Sequence, residues 1–141
     1  MKKKNKILVV FSRYNAPLSL VKSAWQELDK NKVLYDTLGC EGAFEIPVTI
    51  ARNIKKYDAF IAIGIIIKGE TPNFNLISQA ITNGIMDLSI LHKKPIGNAI
   101  LTCLTSAQVK KRVHKGKEAV EAVLDVLDPN DNYGGIDFGK P

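Results

Sequence analysis

The run Ala59-Phe60-Ile61-Ala62-Ile63-Gly64-Ile65-Ile66-Ile67 decides the fold. Its apolar residues do not alternate with polar ones, as they would on a sheet with one wet face. They are continuous, rich in β-branched side chains and too few for a typical helix. Such a run predicts a strand covered on both faces, and strands of that kind belong to parallel sheets wrapped by helices. Working outward, Lys6 to Phe11 and Val33 to Leu38 read as earlier strands and Ile96 to Leu101 as a later one. Between them Leu18, Val21, Trp25 and Leu28 recur at helical spacing. Pro47 suits the first turn of a helix that carries Ile46, Ile50 and Ile54 on one face. Phe74, Ile77, Ile81, Ile85 and Leu88 mark a helix from about Asn73 to Leu91, and two more follow around Ser106 to Val113 and Glu118 to Leu127. Asp128-Pro129-Asn130 breaks the last of them.

This alternation predicts one α/β domain: a four-stranded parallel sheet with right-handed crossovers and helices on both faces. With 141 residues, 45% of them hydrophobic, the chain can bury one core but hardly two. The expected domain covers 1–141, with a core at 6–127 and a polar, glycine-rich tail at 128–141. No apolar run approaches the roughly 18 to 20 residues that span a bilayer, and Met1-Lys2-Lys3-Lys4-Asn5 leads straight into the first strand without a cleavage site. A cytoplasmic protein without membrane contact is expected.

Cys40 and Cys103 are too few for a disulfide framework and lie in no metal-binding spacing, so they read as reduced thiols near strand ends. The net charge of +6 comes largely from Lys2 to Lys4, Lys55-Lys56, Lys93-Lys94 and Lys110-Lys111-Arg112. No aromatics interleave these clusters, which argues for solvated faces and a local anion site rather than nucleic-acid binding. In such a sheet the chemistry belongs beyond the carboxyl ends of the strands. The segments expected there are Ser12 to Asn15, Gly39 to Glu45, Lys68 to Asn75 and Thr102 to Ser106. None carries GxGxxG or GxxxxGK[ST], so dinucleotide and P-loop readings lose their usual support.

Those same segments carry a family likeness. Arg13-Tyr14-Asn15 resembles the R-[FWY]-N of lumazine synthases, and Gly42-Ala43-Phe44-Glu45-Ile46-Pro47 resembles their G-A/S-F/W/Y-E-I/L-P. Tyr57-Asp58-Ala59, followed by Gly64 to Thr71, is similar to YDA…G-x-V-I-R/K-G-x-T. Gln108 and Arg112 resemble the family's Q-x-x-x-R, and Lys115-Gly116-Lys117-Glu118-Ala119 its K-G-x-E-A. The resemblance covers roughly Lys6 to Leu127 and its motifs keep the family order. It implies a flavodoxin-like three-layer sandwich and a homopentamer with sites between neighbours. The implied reaction condenses 5-amino-6-(D-ribitylamino)uracil with 3,4-dihydroxy-2-butanone 4-phosphate, through an imine and with loss of phosphate and water. No cofactor and no metal are implied.

The resemblance also assigns roles. Tyr14 would stack on the pyrimidine, against the plainer reading of a core aromatic at a strand end. Ala43, Phe44 and Glu45 would hold the ribityl chain, although a carboxylate in a first helical turn also serves the helix dipole. Ile66 and Ile67 would offer backbone groups to the pyrimidine edge while their side chains stay in the core. Gly69, Glu70 and Thr71 would surround the phosphate, with Arg112 of a neighbouring subunit as its bidentate cation and Lys115 beside it, and Lys68 before them belongs to the expected substrate-binding residues. The plain alternative for Arg112 is an exposed helix arginine.

Three departures stand out. Where most members have histidine in G-x-T-x-H-[FY], this chain has Asn73, which cannot act as a general base near neutral pH and suits a helix N-cap instead. Asn98 stands where many relatives place an aromatic. Only two residues separate Arg112 from Lys115, fewer than usual. The departures motivate a rival reading, a non-catalytic lumazine- or flavin-binding oligomeric homologue. A third is an oligomeric interaction protein with an incidental basic surface.

Overall fold

A computed structural model describes residues 4–15, 18–69 and 73–129. The strands β1 (Lys6–Ser12), β2 (Leu34–Cys40), β3 (Ala59–Ile67) and β4 (Ile96–Cys103) form one parallel sheet in the order β2-β1-β3-β4. Five helices connect and follow them: α1 (Leu18–Lys30), α2 (Ile46–Arg52), α3 (Phe74–His92), α4 (Ser106–Lys110) and α5 (Lys115–Leu127). A single 3-10 turn at Ala43–Glu45 leads into α2. The expected tail from 130 onward lies outside the described residues.

β3 is buried at all nine positions, which explains its unbroken hydrophobicity. Its side chains alternate between two cores. Ile61, Ile63, Ile65 and Ile67 join Ile7 and Val9 against α1 and α5, through Leu20, Val21, Leu28, Val120 and Val123. Phe60, Ala62 and Ile66 join Leu8 and Val10 against α2 and α3, through Ile46, Ile50, Ile81 and Ile85. Helices therefore cover both faces, and the flavodoxin-like three-layer α/β sandwich follows.

The outer strands depart from this pattern because each has one neighbour. Along β2 only Cys40 is buried, and β4 alternates inward and outward residues. β2 runs two residues past its expected end, since Ser12 pairs with Cys40 at the close of the β1 ladder. The two thiols, both buried and free, sit at the last positions of β2 and β4. No described helix is long and apolar enough to cross a membrane.

At the amino end of the sheet, polar groups hold the edge strand. Asp36 accepts from the Tyr57 hydroxyl at 2.6 Å and pairs with Lys6 Nζ at 3.1 Å. The Tyr57 hydrogen bond, then Lys6, hold the Asp36 carboxyl below its ordinary value of 3.8, and the same hydrogen bond raises the Tyr57 phenol. A depressed carboxyl contributes stability above its unfolded pKa and loses it as pH falls through the folded one. Asp36→Asn is therefore expected to lower the thermal midpoint at neutral pH. The gap from the parent protein should close as pH falls below about 4, through and beneath the ordinary carboxylate range. A gap that persists unchanged at pH 3 in a thermal-melt series would mean that charge is not what Asp36 contributes.

Candidate active site

The carboxyl rim of the sheet is built from the ends of β1, β2, β3 and β4. Beyond β1 the ladder continues into the loop: Arg13 N donates to Cys40 O at 2.8 Å and Tyr14 N to Glu41 O at 3.0 Å. Arg13 then turns its guanidinium back onto Gly39 O at 2.9 Å, so this cation braces β2. Tyr14 projects from the rim with 63% of its surface exposed, which rules out the core-aromatic alternative.

Gly42 opens the 3-10 turn. Glu45 N donates to Gly42 O at 3.1 Å, and Glu45 Oε1 accepts from Gly42 N at 2.9 Å, a reciprocal cap that fixes the carboxylate. The helix-start role foreseen for Glu45 is thus real. A carboxylate has about four acceptor positions, so capacity remains for ligand hydroxyls. Next to it Ala43 is half-buried and Phe44 exposed. Cys40 lies beneath this turn with its thiol donating to Gly42 O at 3.4 Å, and burial, then the Glu45 charge, raise its pKa. That makes it a poor nucleophile.

At the end of β3, Ile66 and Ile67 are buried in the two cores, whereas Lys68 and Gly69 emerge into solvent. Gly69 has φ of 96°, a left-handed conformation that glycine adopts without penalty. Glu70 and Thr71 lie outside the described residues. Asn73 occupies the N-cap position of α3, as its residue type suggests, and its carbonyl accepts from Ile77 N at 2.9 Å. Its side chain makes no capping bond.

Beyond β4 the chain turns through α4 and returns Arg112 to the strand end, with Nη1 3.7 Å from Cys103 Sγ. Lys68 N donates to the carbonyl of the same Cys103 at 2.9 Å. Arg112 and the Lys68–Gly69 turn are therefore brought to one part of the rim within a single subunit. Lys115 begins α5 and pairs with Glu118 at 3.1 Å, while His114 stands 3.9 Å from the same carboxylate.

Asn98 is not brought to this rim. It is the third residue of β4, and its Oδ1 accepts from Ile100 N at 3.0 Å. It lines a groove of about 500 Å³ at the amino end of β4, between Ile90 and Lys93 on one side and Val123 and Val126 on the other. Two further features carried no signal that periodicity could read. The Ser12 hydroxyl is buried at the end of β1 without a hydrogen-bond partner. Gln108 Oε1 accepts from Leu104 N at 2.7 Å; the Q-x-x-x-R spacing pointed to this residue without giving its contact. Among the described residues no group of three or more His, Cys, Asp or Glu side chains could hold a metal ion.

The profile of the 6,7-dimethyl-8-ribityllumazine synthase family matches residues 4–130, spanning every element of this rim. The chain belongs to that family. The 6,7-dimethyl-8-ribityllumazine synthase of Bartonella tribocorum is 35% identical over 95% of this chain and 95% of its own. Those of Nitrobacter hamburgensis and Agrobacterium fabrum are 35% and 32% identical, over 85% and 92% of this chain and 82% and 97% of theirs. A lumazine synthase family enzyme of riboflavin biosynthesis is what the sequence motifs foretold, and the non-catalytic alternative is not favoured.

Proposed function

We propose that the protein forms 6,7-dimethyl-8-ribityllumazine from 5-amino-6-(D-ribitylamino)uracil and 3,4-dihydroxy-2-butanone 4-phosphate at the carboxyl rim. The observation that carries the site assignment is the convergence there of Tyr14, the Ala43–Glu45 turn and the Ile66–Gly69 segment. Tyr14 offers an exposed ring for stacking. The Ala43–Glu45 turn holds the ribityl hydroxyls through backbone groups and the remaining acceptor sites of Glu45. Backbone groups of Ile66 and Ile67 meet the pyrimidine edge. Gly69, Glu70 and Thr71, with Lys68 just before them, receive the phosphate together with Arg112 of a neighbouring subunit, and Lys115 adds positive charge nearby. Holding amine and ketone together supplies most of the acceleration in this scheme, with Asn73 at the position of the missing base.

The enzyme works as a homopentamer in the cytoplasm, with each site completed by a neighbour. Two surfaces support association. Leu76, Met86 and Ile90 form an exposed apolar stripe on α3, with Phe44 and Val48 also exposed. Asn98 lies in the groove at the free edge of β4, away from its own rim and on a face that a neighbouring subunit would cover.

Mixing purified protein with both substrates and following lumazine absorbance with phosphate release tests the proposal. No product above the uncatalysed rate would overturn it. Arg112→Ala is expected to raise KM for the sugar phosphate by roughly 1.5 to 3 kcal/mol, about ten- to hundredfold, and to leave KM for the pyrimidine nearly unchanged. Lys115→Ala should act in the same direction but less, because Glu118 already pairs with its ammonium. Equal loss for both substrates would remove Arg112 from the phosphate.

A further inference from the structure

We infer that Gln108 and Cys103 are positioning residues for Arg112, forming a two-point clamp on the turn that follows β4. The inference rests on the proposed phosphate role of Arg112. α4 has only five residues, too short to hold its own orientation, and little of it enters the core besides Val109. Side chains therefore do the fixing. Gln108 Oε1 accepts from Leu104 N at 2.7 Å, closing the turn from the end of β4 onto α4. One helical turn later Arg112 N donates to Val109 O at 3.0 Å, and the guanidinium folds back to Cys103 Sγ at 3.7 Å.

Cys103 ties two segments to the end of β4. Its side chain, 1% exposed, receives Arg112, and its carbonyl receives Lys68 N, one residue before the left-handed Gly69. The position of the guanidinium relative to its own strand end, from which it would reach the neighbouring subunit's site, is thus set by a buried residue. Neither Gln108 nor Cys103 touches substrate in this scheme. Each limits the wandering of a long exposed cation, which lowers the entropy lost when the phosphate binds.

A double-mutant cycle tests the clamp. Gln108→Ala is expected to raise KM for the sugar phosphate about two- to tenfold, the span of one neutral hydrogen bond, with kcat and pyrimidine KM within about twofold. Cys103→Ala should do the same more weakly, because sulfur is a poor acceptor, and Cys103→Ser should restore most of the loss. In an Arg112→Ala background neither substitution should add further effect. The rise in melting temperature given by inorganic phosphate provides a second readout on folded protein. It should fall in Gln108→Ala and be unchanged by Gln108→Ala once Arg112 is gone. Full additivity of Gln108→Ala with Arg112→Ala, or equal weakening of both substrates, overturns the clamp. If Arg112→Ala alone leaves sugar-phosphate KM untouched, the phosphate reading has failed and the clamp falls with it.

Discussion

Gly116→Ala is expected to destabilise the protein by about 1 to 3 kcal/mol, the cost of forcing extra volume into a packed interior. α5 crosses α1 so closely at this point that a Cβ on Gly116 would lie 2.4 Å from Leu20 O and 3.0 Å from Ala24 N. Both are backbone atoms of α1, so rotamer changes give no relief and the helices must separate. Next to the contact, Lys117 N donates to Ser23 Oγ at 2.9 Å, a bond that separation would also strain. Thermal melts should show a midpoint lowered on the order of 3 to 10 °C. Gly84 in α3 is the control, because a Cβ there would meet only the Pro47 ring at 3.4 Å, an ordinary contact. Gly84→Ala should be neutral or stabilising, since glycine within a helix costs about 1 kcal/mol relative to alanine. Equal midpoints for parent and Gly116→Ala would show that α1 and α5 are not held at this separation.

The same glycine shows where sequence reading stops. Periodicity placed the start of the last helix near Glu118, because Gly116 is a poor helix former and Lys115 and Lys117 carry no apolar signal. The helix begins at Lys115, where close packing on α1 overrides local propensity. By contrast β3 was legible, since burial on both faces leaves an unbroken apolar run. The rim was legible as a list of segments, because a parallel sheet places its loops after the strand ends. Contacts across it were not. Nothing in Arg13 announces that it braces Gly39, and nothing in Asn98 announces that its carboxamide binds its own strand at Ile100. Such contacts depend on register and turn geometry, which composition does not encode. Asn73 lies between the two cases: its N-cap position was readable from residue type, but its side chain does not make the expected capping bond.

Asn73→His is expected to raise kcat about ten- to hundredfold, the lower part of the range that a positioned general base supplies. The carboxamide cannot take up a proton near neutral pH, so in the proposed scheme the enzyme would rely on alignment of amine and ketone, and its turnover should be slow. Position 73 is favourable for restoring the base. It precedes the first turn of the nineteen-residue α3, where the helix dipole disfavours an imidazolium. A histidine there would be largely neutral at pH 7 and able to accept a proton. Both KM values should stay within about twofold, because the added group acts on proton transfer and not on binding. The variant should also gain an acid limb in its kcat–pH profile near or below the ordinary histidine range of about 6.5, where the ring protonates. His114 is the competing imidazole, exposed at the start of α5 and 3.9 Å from Glu118. If a neighbouring subunit brings it into the cleft, His114→Ala will abolish most turnover and the base moves to His114. Unchanged kcat and no new acid limb in Asn73→His, with His114→Ala also silent, would mean that proton transfer does not limit this site and that alignment alone sets its rate.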